Sequence, residues 1–148
     1  MTRRTPALPK MRRRSFWIAR IGVCEPAELD RFWLQHYCPE VIAVEASRYP
    51  STQGIAATLG DQSEVLPVPI PLDCTDGFNE AYFGRPEMLL NPEARRACSA
   101  WAFVDDAAIQ RFENDLSRDI KFGRWDERFG HFRTEPLFLG SLKLIVGR

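Results

Sequence analysis

The sequence predicts an α/β domain in which a small sheet of about three strands is covered by several helices. Apolar runs of strand length occur at residues 16–24, 64–70 and 139–146. The segments between these runs place apolar residues at the three- and four-residue spacing of a helix. At 148 residues the chain is long enough for a substantial core, so we expect one domain over residues 16–148.

The first strand, 16–24, alternates apolar with small or basic residues and is broken by Glu25 and Pro26. Proline suits the first turn of a helix, where its fixed φ angle is helical and its missing N–H is not needed. The residues that follow form one aromatic stripe at helical spacing: Leu29, Phe32, Trp33 and Tyr37. We expect Pro39 to interrupt this helix near its end.

Two short helices are predicted next. One covers residues 41–48, and the other is capped by Ser51 or Thr52 and runs to Leu59. Gly60 closes the second helix, because glycine tolerates the backbone conformations that end a helix.

The second strand, 64–70, is marked by three alternating prolines, Pro67, Pro69 and Pro71. A proline has no N–H to donate to a neighbouring strand, so it weakens any ladder that it joins. The sequence therefore predicts that this strand lies at an edge of the sheet.

Four helical segments are predicted between the second and third strands. Thr75 or Asp76 is expected to cap a helix over residues 77–83, and Asn91 to cap another that runs to about Phe103. The third helix has the cleanest amphipathic pattern, with apolar residues three, four and four positions apart: Ile109, Phe112, Leu116 and Ile120.

Asp105 opens that amphipathic helix and Gly123 ends it. The fourth segment, residues 125–129, is predicted as a helical turn or ordered loop. The last strand, 139–146, follows it.

The charge of the chain is balanced overall but unevenly distributed. Residues 1–14 hold six basic side chains and no acidic one, so the remainder carries 14 basic against 20 acidic residues. An acidic body argues against a nucleic-acid partner. We interpret residues 1–15 as a disordered tail or as the start of a misplaced or truncated reading frame, with a nucleic-acid or membrane arm as the alternative.

Several kinds of site and location are not supported by the sequence. No secretory signal follows the basic start and no stretch approaches the ~20 apolar residues of a membrane span, so we expect a cytoplasmic protein without a membrane anchor. The four cysteines lie 14, 36 and 24 residues apart with no C-x-x-C pair, which predicts free thiols and no metal site. No G-x-G occurs, which argues against a dinucleotide or P-loop site.

The candidate site lies where the second strand ends, at Asp73 and Asp76. A strand that ends in carboxylates and opens a helix delivers them to one rim of a sheet, where α/β proteins bind small ligands. Helix capping alone would explain the same residues. In the functional interpretation, Phe78 and Tyr82 share a helix face and wall a pocket beside these carboxylates, with Cys74 and His131 as further candidate contacts.

Four segments of the chain carry a resemblance to a known family. They are PAELDRFWLQHY with the following PE, VLPVPIPLDCTDGFNEAYFGRP, RWDERFGHFRT and GSLKLIV, which begin at Pro26, Val65, Arg124 and Gly140. With these segments the chain, from about residue 21 onwards, resembles the C-terminal half of class I S-adenosylmethionine-dependent methyltransferases.

The resemblance implies a partial Rossmann-like domain. Strands 16–24, 64–70 and 139–146 would be the fifth, sixth and seventh of seven, with the seventh antiparallel between the other two, and helices over 77–122 would cover the substrate. The Gly-rich turn and acidic residue with which the family binds S-adenosylmethionine have no counterpart in this sequence. The resemblance therefore implies a methyltransferase portion that is inactive alone. In it, Asp73 and Asp76 would be the catalytic residues that orient or deprotonate a small-molecule acceptor, and Trp101 would join Phe78 and Tyr82 in the wall of the substrate pocket.

Two other functions stay open. Strand 16–24 would lack a neighbour, and an open edge favours pairing with a partner chain or a second copy. The chain is then an interaction module that pairs through this edge or through the aromatic helix 26–37. Alternatively, it is a small-ligand-binding protein with its pocket between Asp73 and Tyr82.

Overall fold

The protein is described by a computed structural model that covers residues 19–147. The predicted basic tail, 1–15, and the first three residues of the predicted strand 16–24 lie outside the described residues. Within them, no helix is both long and apolar enough to cross a membrane.

The described residues form five strands and five α-helices. The strands are β1 (Ala19–Cys24), β2 (Glu64–Pro67), β3 (Ile70–Pro71), β4 (Leu137–Phe138) and β5 (Leu142–Gly147). The α-helices are α1 (Pro39–Arg48), α2 (Thr52–Leu59), α3 (Pro92–Ala97), α4 (Asp106–Lys121) and α5 (Arg124–Phe129). Short 3₁₀ helices span Pro26–Arg31, Trp33–His36, Asn79–Tyr82, Pro86–Leu90, Ser99–Phe103 and Gly130–Arg133.

The main sheet has three strands in the order β1-β5-β2. β5 pairs antiparallel with both neighbours, and Ile145 lies opposite Ile21 on one side and Val65 on the other. The α/β class, the central antiparallel position of the last strand and the edge position of the proline-bearing strand are thereby confirmed.

The predicted strand 64–70 is wrong in its second half. β2 ends at Pro67, the N–H of Val68 donates to the carbonyl of Leu142 at 3.0 Å, and Pro69 then has no N–H to continue the ladder. The chain turns away, and Ile70 pairs with Phe138 in a separate two-stranded sheet of β3 and β4.

The two faces of the main sheet differ. Ile21, Val65 and Ile145 share one face, which α2 covers; a methyl group added to Gly147 would lie 2.9 Å from Leu59 Cβ. Ile145 is 0% exposed there.

The opposite face, which we call the open sheet face, contains Gly22, Leu66 and Leu144. A Cβ added to Gly22 would meet no atom within 4 Å, and Leu66 is 42% exposed. Described residues therefore cover only one face of this sheet fully.

The aromatic stripe does not form one α-helix as predicted. Phe32 has an extended backbone (φ −80°, ψ 137°) and separates two 3₁₀ helices. All four stripe residues are nevertheless buried. Pro39 does not interrupt a helix but begins α1, where a proline at the first position fits without loss of a hydrogen bond.

The helices with clear terminal signals form as predicted. Ser51 caps α2 by accepting the N–H of Gly54, and Asp105 caps α4 by accepting that of Ala108. α4 buries Phe112 and Leu116.

The predicted helix over 77–83 is a shorter 3₁₀ helix, Asn79–Tyr82, and neither Thr75 nor Asp76 caps it. Gly77 packs so closely against α3 that an added Cβ would lie 2.7 Å from Ala97 Cβ. The predicted helix to Phe103 is also interrupted, because Cys98 adopts an extended conformation between α3 and the 3₁₀ helix Ser99–Phe103.

The core lies mainly among the helices rather than against the sheet. We call residues 26–48 and 79–133 the helical layer. At its centre the Trp33 indole donates to the Phe83 carbonyl at 3.0 Å and meets the Trp125 ring edge-on at 5.7 Å between centroids. Such edge-to-face contacts favour one arrangement of the rings, so the layer has a specific packing of its own.

Candidate functional site

The carboxyl ends of β1 and β2 and the start of β5 lie at the same edge of the main sheet. This is the edge at which α/β proteins bind ligands. The helical layer contributes Glu45, Asn79 and Glu80 here, and the sheet contributes Cys24 and Ser141. We call these five residues the carboxyl-edge cluster.

Glu80 is a buried carboxylate held by the start of β5. It accepts the Ser141 N–H at 2.9 Å and the Ser141 hydroxyl at 2.8 Å. Burial raises the pKa of Glu80 above its ordinary value, and the hydrogen bonds from Ser141 oppose that rise. A Cβ on Gly140 would fall 2.5 Å from Glu80 Oε1, so only glycine allows this approach.

Glu45 is positioned by a short hydrogen-bond chain. The Asn79 amide donates to Glu45 Oε2 at 2.9 Å, and the Trp101 indole N–H donates to Asn79 Oδ1 at 2.8 Å. Burial raises the pKa of Glu45, against the effect of the Asn79 hydrogen bond. Its other oxygen accepts no hydrogen bond from the residues that the structure describes, so it can accept a hydrogen bond or a proton from a ligand.

Cys24 completes the cluster at the end of β1. The pKa of its thiol is raised to about 11, mainly by burial and also by the negative charges of Glu80 and Glu45. A hydrogen bond with Ser141 acts in the opposite direction and lowers this pKa. Cys24 is therefore a neutral thiol at physiological pH and not a nucleophile. The chemistry that the cluster offers is proton acceptance by carboxylates.

The two predicted catalytic carboxylates lie outside this cluster. Asp73 and Asp76 are exposed in the turn that follows β3. The turn is held by Arg85, whose Nη2 donates to the carbonyl of Cys74 at 2.5 Å and to that of Ala81 at 2.9 Å. Asp73 and Asp76 thus face solvent on a fixed turn.

The predicted substrate contacts are dispersed. Cys74 and Phe78 are half-buried, whereas Tyr82 and Trp101 are buried in the core. His131 is exposed, and its ring lies 4.1 Å from that of Phe132.

Trp101 links the cluster to a pocket of about 260 Å³. The pocket lies between α3, the 3₁₀ helix Ser99–Phe103 and α4, and Trp101 forms part of its wall. The same indole donates its N–H to Asn79, so the Trp101 side chain contacts both the pocket and the carboxyl-edge cluster.

The sequence interpretation missed all five residues of the carboxyl-edge cluster. A signal was present for two of them, because Asn79 and Glu80 stand among aromatic residues in the predicted helix 77–83. Polar side chains buried in such a segment require hydrogen-bond partners, which makes them conspicuous. No local pattern indicates those partners, since Glu45 lies 34 residues from Asn79 and Ser141 lies 61 from Glu80.

The four cysteines are free thiols. Within residues 19–147 no three His, Cys, Asp or Glu side chains are grouped so that they could hold a metal ion.

Neither protein-family models nor curated proteins match this chain. A crystal structure does: a candidate methyltransferase from an antibiotic biosynthesis pathway of Anabaena variabilis superposes with a TM-score of 0.81 at 21% sequence identity. The fold is methyltransferase-like. The superposition covers 88% of this chain and 54% of the other, so the chain spans about half the length of the Anabaena protein.

Proposed function

We propose that the chain is the substrate-covering, C-terminal portion of a small-molecule S-adenosylmethionine-dependent methyltransferase. The observation that carries the proposal is the sheet order β1-β5-β2, with the last strand antiparallel in the middle. This is the arrangement that the family resemblance implies for strands five to seven. The likeness to half of the Anabaena structure supports it.

The open sides of the sheet support the idea of a partial domain. β1 pairs with β5 alone among the described strands, and on the open sheet face both Leu66 and Gly22 are exposed. A cofactor-binding α/β half, on the same chain or another, would pair with β1 and cover this face. A strand edge and an apolar face left open in this way favour such an association.

The described residues do not fit S-adenosylmethionine. The pocket of about 260 Å³ is below the ~300–1,000 Å³ of typical sites for drug-sized ligands, and no glycine-rich turn follows a described strand. We therefore assign cofactor binding to the other half and derive no step through the cofactor here.

This portion would bind and orient the methyl acceptor. Orientation supplies much of the acceleration in a bimolecular transfer, and a base is needed only for a weakly nucleophilic acceptor. Glu45 is fixed through Oε2 and offers its second oxygen to an acceptor hydroxyl or amine. Asp73 and Asp76 are proposed to orient the acceptor from the solvent side.

The remaining proposed acceptor contacts differ in their roles. Residues with exposed or half-buried side chains would touch the acceptor, and the buried ones would shape its surroundings: Cys74, Phe78 and His131 in the first group, Tyr82 and Trp101 in the second.

An interaction module without catalysis is the second candidate. The open sheet face and the free edge of β1 favour it, because both suit pairing with another protein or a second copy. In that case association would occur without any gain of cofactor binding.

The test joins this chain to the part of the Anabaena protein that it does not match. We expect the chain alone to show no change of thermal unfolding with S-adenosylmethionine or S-adenosylhomocysteine. We expect the fusion to be stabilised by about 2.7 kcal/mol at ~100 times Kd. Leu66→Lys should weaken this gain in the fusion, whereas Gln53→Lys, at an exposed position of α2, should not.

Two results would contradict the proposal. A cofactor-dependent shift of the chain alone would show that it carries its own cofactor site. A folded fusion whose thermal unfolding changes with neither cofactor would favour the interaction module.

A further inference from the structure

The pocket beside Trp101 is a separate feature on the outer side of the helical layer. Pro92, Cys98, Ala102 and Ile109 give it mainly apolar walls, and Trp101 contributes its indole. Because its volume of about 260 Å³ is below that of drug-sized sites, it suits a ligand of one ring with a short polar arm.

The charge available at this pocket is positive. Arg95 is buried and already engaged, since it donates to the Leu89 carbonyl at 2.6 Å and pairs with Glu113. Arg96 is different: its side chain is 76% exposed and its Glu93 partner, 3.9 Å away, is 80% exposed.

An exposed ion pair at such a distance contributes little to the stability of the fold. The Arg96 guanidinium can therefore leave Glu93 and bind a ligand instead. Among the described residues that line the pocket, none is acidic. An anion is therefore favoured over a cation of the same shape.

We propose that this pocket binds a small monocyclic carboxylate, with its ring beside Trp101 and Ile109 and its carboxylate at Arg96. Trp101 and Ile109 give a ring apolar walls to pack against, and guanidinium groups bind carboxylates through paired hydrogen bonds. The site does not depend on methyl transfer, so it stands whether or not the proposed function is correct.

The indole of Trp101 provides a direct readout. Its N–H donates to Asn79, which in turn donates to Glu45, so a ligand against the ring perturbs a fixed hydrogen bond. The ¹⁵N-labelled full chain has four tryptophans, and Trp101→Phe identifies the signal of interest.

The experiment titrates benzoate and, separately, benzylamine, which has a similar shape but the opposite charge. We expect a saturable shift of the Trp101 indole signal with benzoate and binding of benzylamine that is weaker by about threefold or more. Ala102→Phe, which fills the pocket, should abolish the shift.

A matched pair of arginine variants tests the role of charge. Arg96→Gln should weaken benzoate binding about three- to tenfold. Arg31→Gln should not, although Arg31 is also exposed and also lies 3.9 Å from a glutamate three positions away.

Two outcomes would overturn the proposal. Equal binding of benzoate and benzylamine, or of the wild type and Arg96→Gln, would show an apolar pocket without preference for a carboxylate. No saturable shift with either probe would show that the pocket is not a ligand site.

Discussion

The helical layer and the main sheet differ in how completely they are packed. In the layer, Trp33, Phe112 and Trp125 are at most 1% exposed and contact other rings. In the sheet, Ile145 is fully buried on one face, whereas Leu66 stands exposed on the other. The layer thus contains its own core, while the sheet is fully covered on one face and only partly on the other.

This difference explains where the polar groups gather. The carboxyl-edge cluster lies at the junction, where Glu80 from the layer meets Ser141 at the start of β5. The layer supplies and buries the Glu80 side chain, and the start of β5 fixes its carboxylate through the hydrogen bonds from Ser141.

Removing the central tryptophan is expected to have the largest effect. Trp33→Ala should lower the free energy of unfolding by about 3–5 kcal/mol, because a fully buried indole leaves a cavity and an unpaired Phe83 carbonyl. Urea unfolding of the full chain measures it. Phe122→Ala, at an exposed position of the same layer, is the control and should change stability by less than ~0.5 kcal/mol. Similar losses for both variants would mean that the layer is not the main core.

Two adjacent residues of β5 test the difference between the faces of the sheet. Ile145→Ala should cost about 2–4 kcal/mol, since its side chain is buried under α2. Leu144→Ala, on the open sheet face, should cost less than half as much. Equal losses in urea unfolding would show that both faces are covered.

The junction should respond to pH. Glu80→Ala should cost about 1–3 kcal/mol at low pH, because the buried N–H of Ser141 loses its acceptor. Burial raises the folded-state pKa of Glu80, so its protonated form is favoured by folding. The stabilising contribution is full below the ordinary pKa of 4.5 and is lost as pH rises through the folded value.

The difference in unfolding free energy between wild type and Glu80→Ala should therefore shrink from pH 4.5 upwards. Glu64→Ala, at an exposed position of β2, provides the control series. A difference that grows with pH would mean that the hydrogen bonds from Ser141 outweigh burial.

The smallest effect is expected on the open sheet face. Leu66→Gln should change the stability of the chain by less than ~0.5 kcal/mol, because this side chain is exposed. The proposed function places the other half of the fusion over this face, so the effect of Leu66→Gln on the fusion is expected to be larger. A large loss of stability in the chain alone, measured by urea unfolding, would show that the face is already covered.

Local signals in the sequence were sufficient for some elements. Asp105 caps α4 as its side chain predicts, and the left-handed Gly123 (φ 75°) follows that helix. The prolines placed β2 at an edge correctly. The break at Phe32 was missed, because the residue spacing that buries one face of an α-helix is also satisfied by two consecutive 3₁₀ helices.

Features that depend on residues far apart in the chain were harder to predict from the sequence. The central position of β5 came from the family resemblance and not from the residues of that strand. The site was predicted at Asp73 and Asp76, which are exposed in the structure. Glu80 stands among apolar and aromatic residues, and folding alone brings it to its partner Ser141. The aromatic surroundings of Glu80 indicate that it needs a hydrogen-bond partner, but the identity of that partner is a tertiary property that local sequence does not record.

The central position of β5 also sets an order of events during synthesis. β1 and β2 emerge from the ribosome long before β5, which pairs Cys24 with Leu142 across most of the described chain. Until then, neither strand has its β5 partner, and pairing over such separations is slow. The proline at the end of β2 lowers the risk that this strand pairs with another molecule before β5 is made. A strand that lacks an N–H donor is a poor template for such intermolecular pairing.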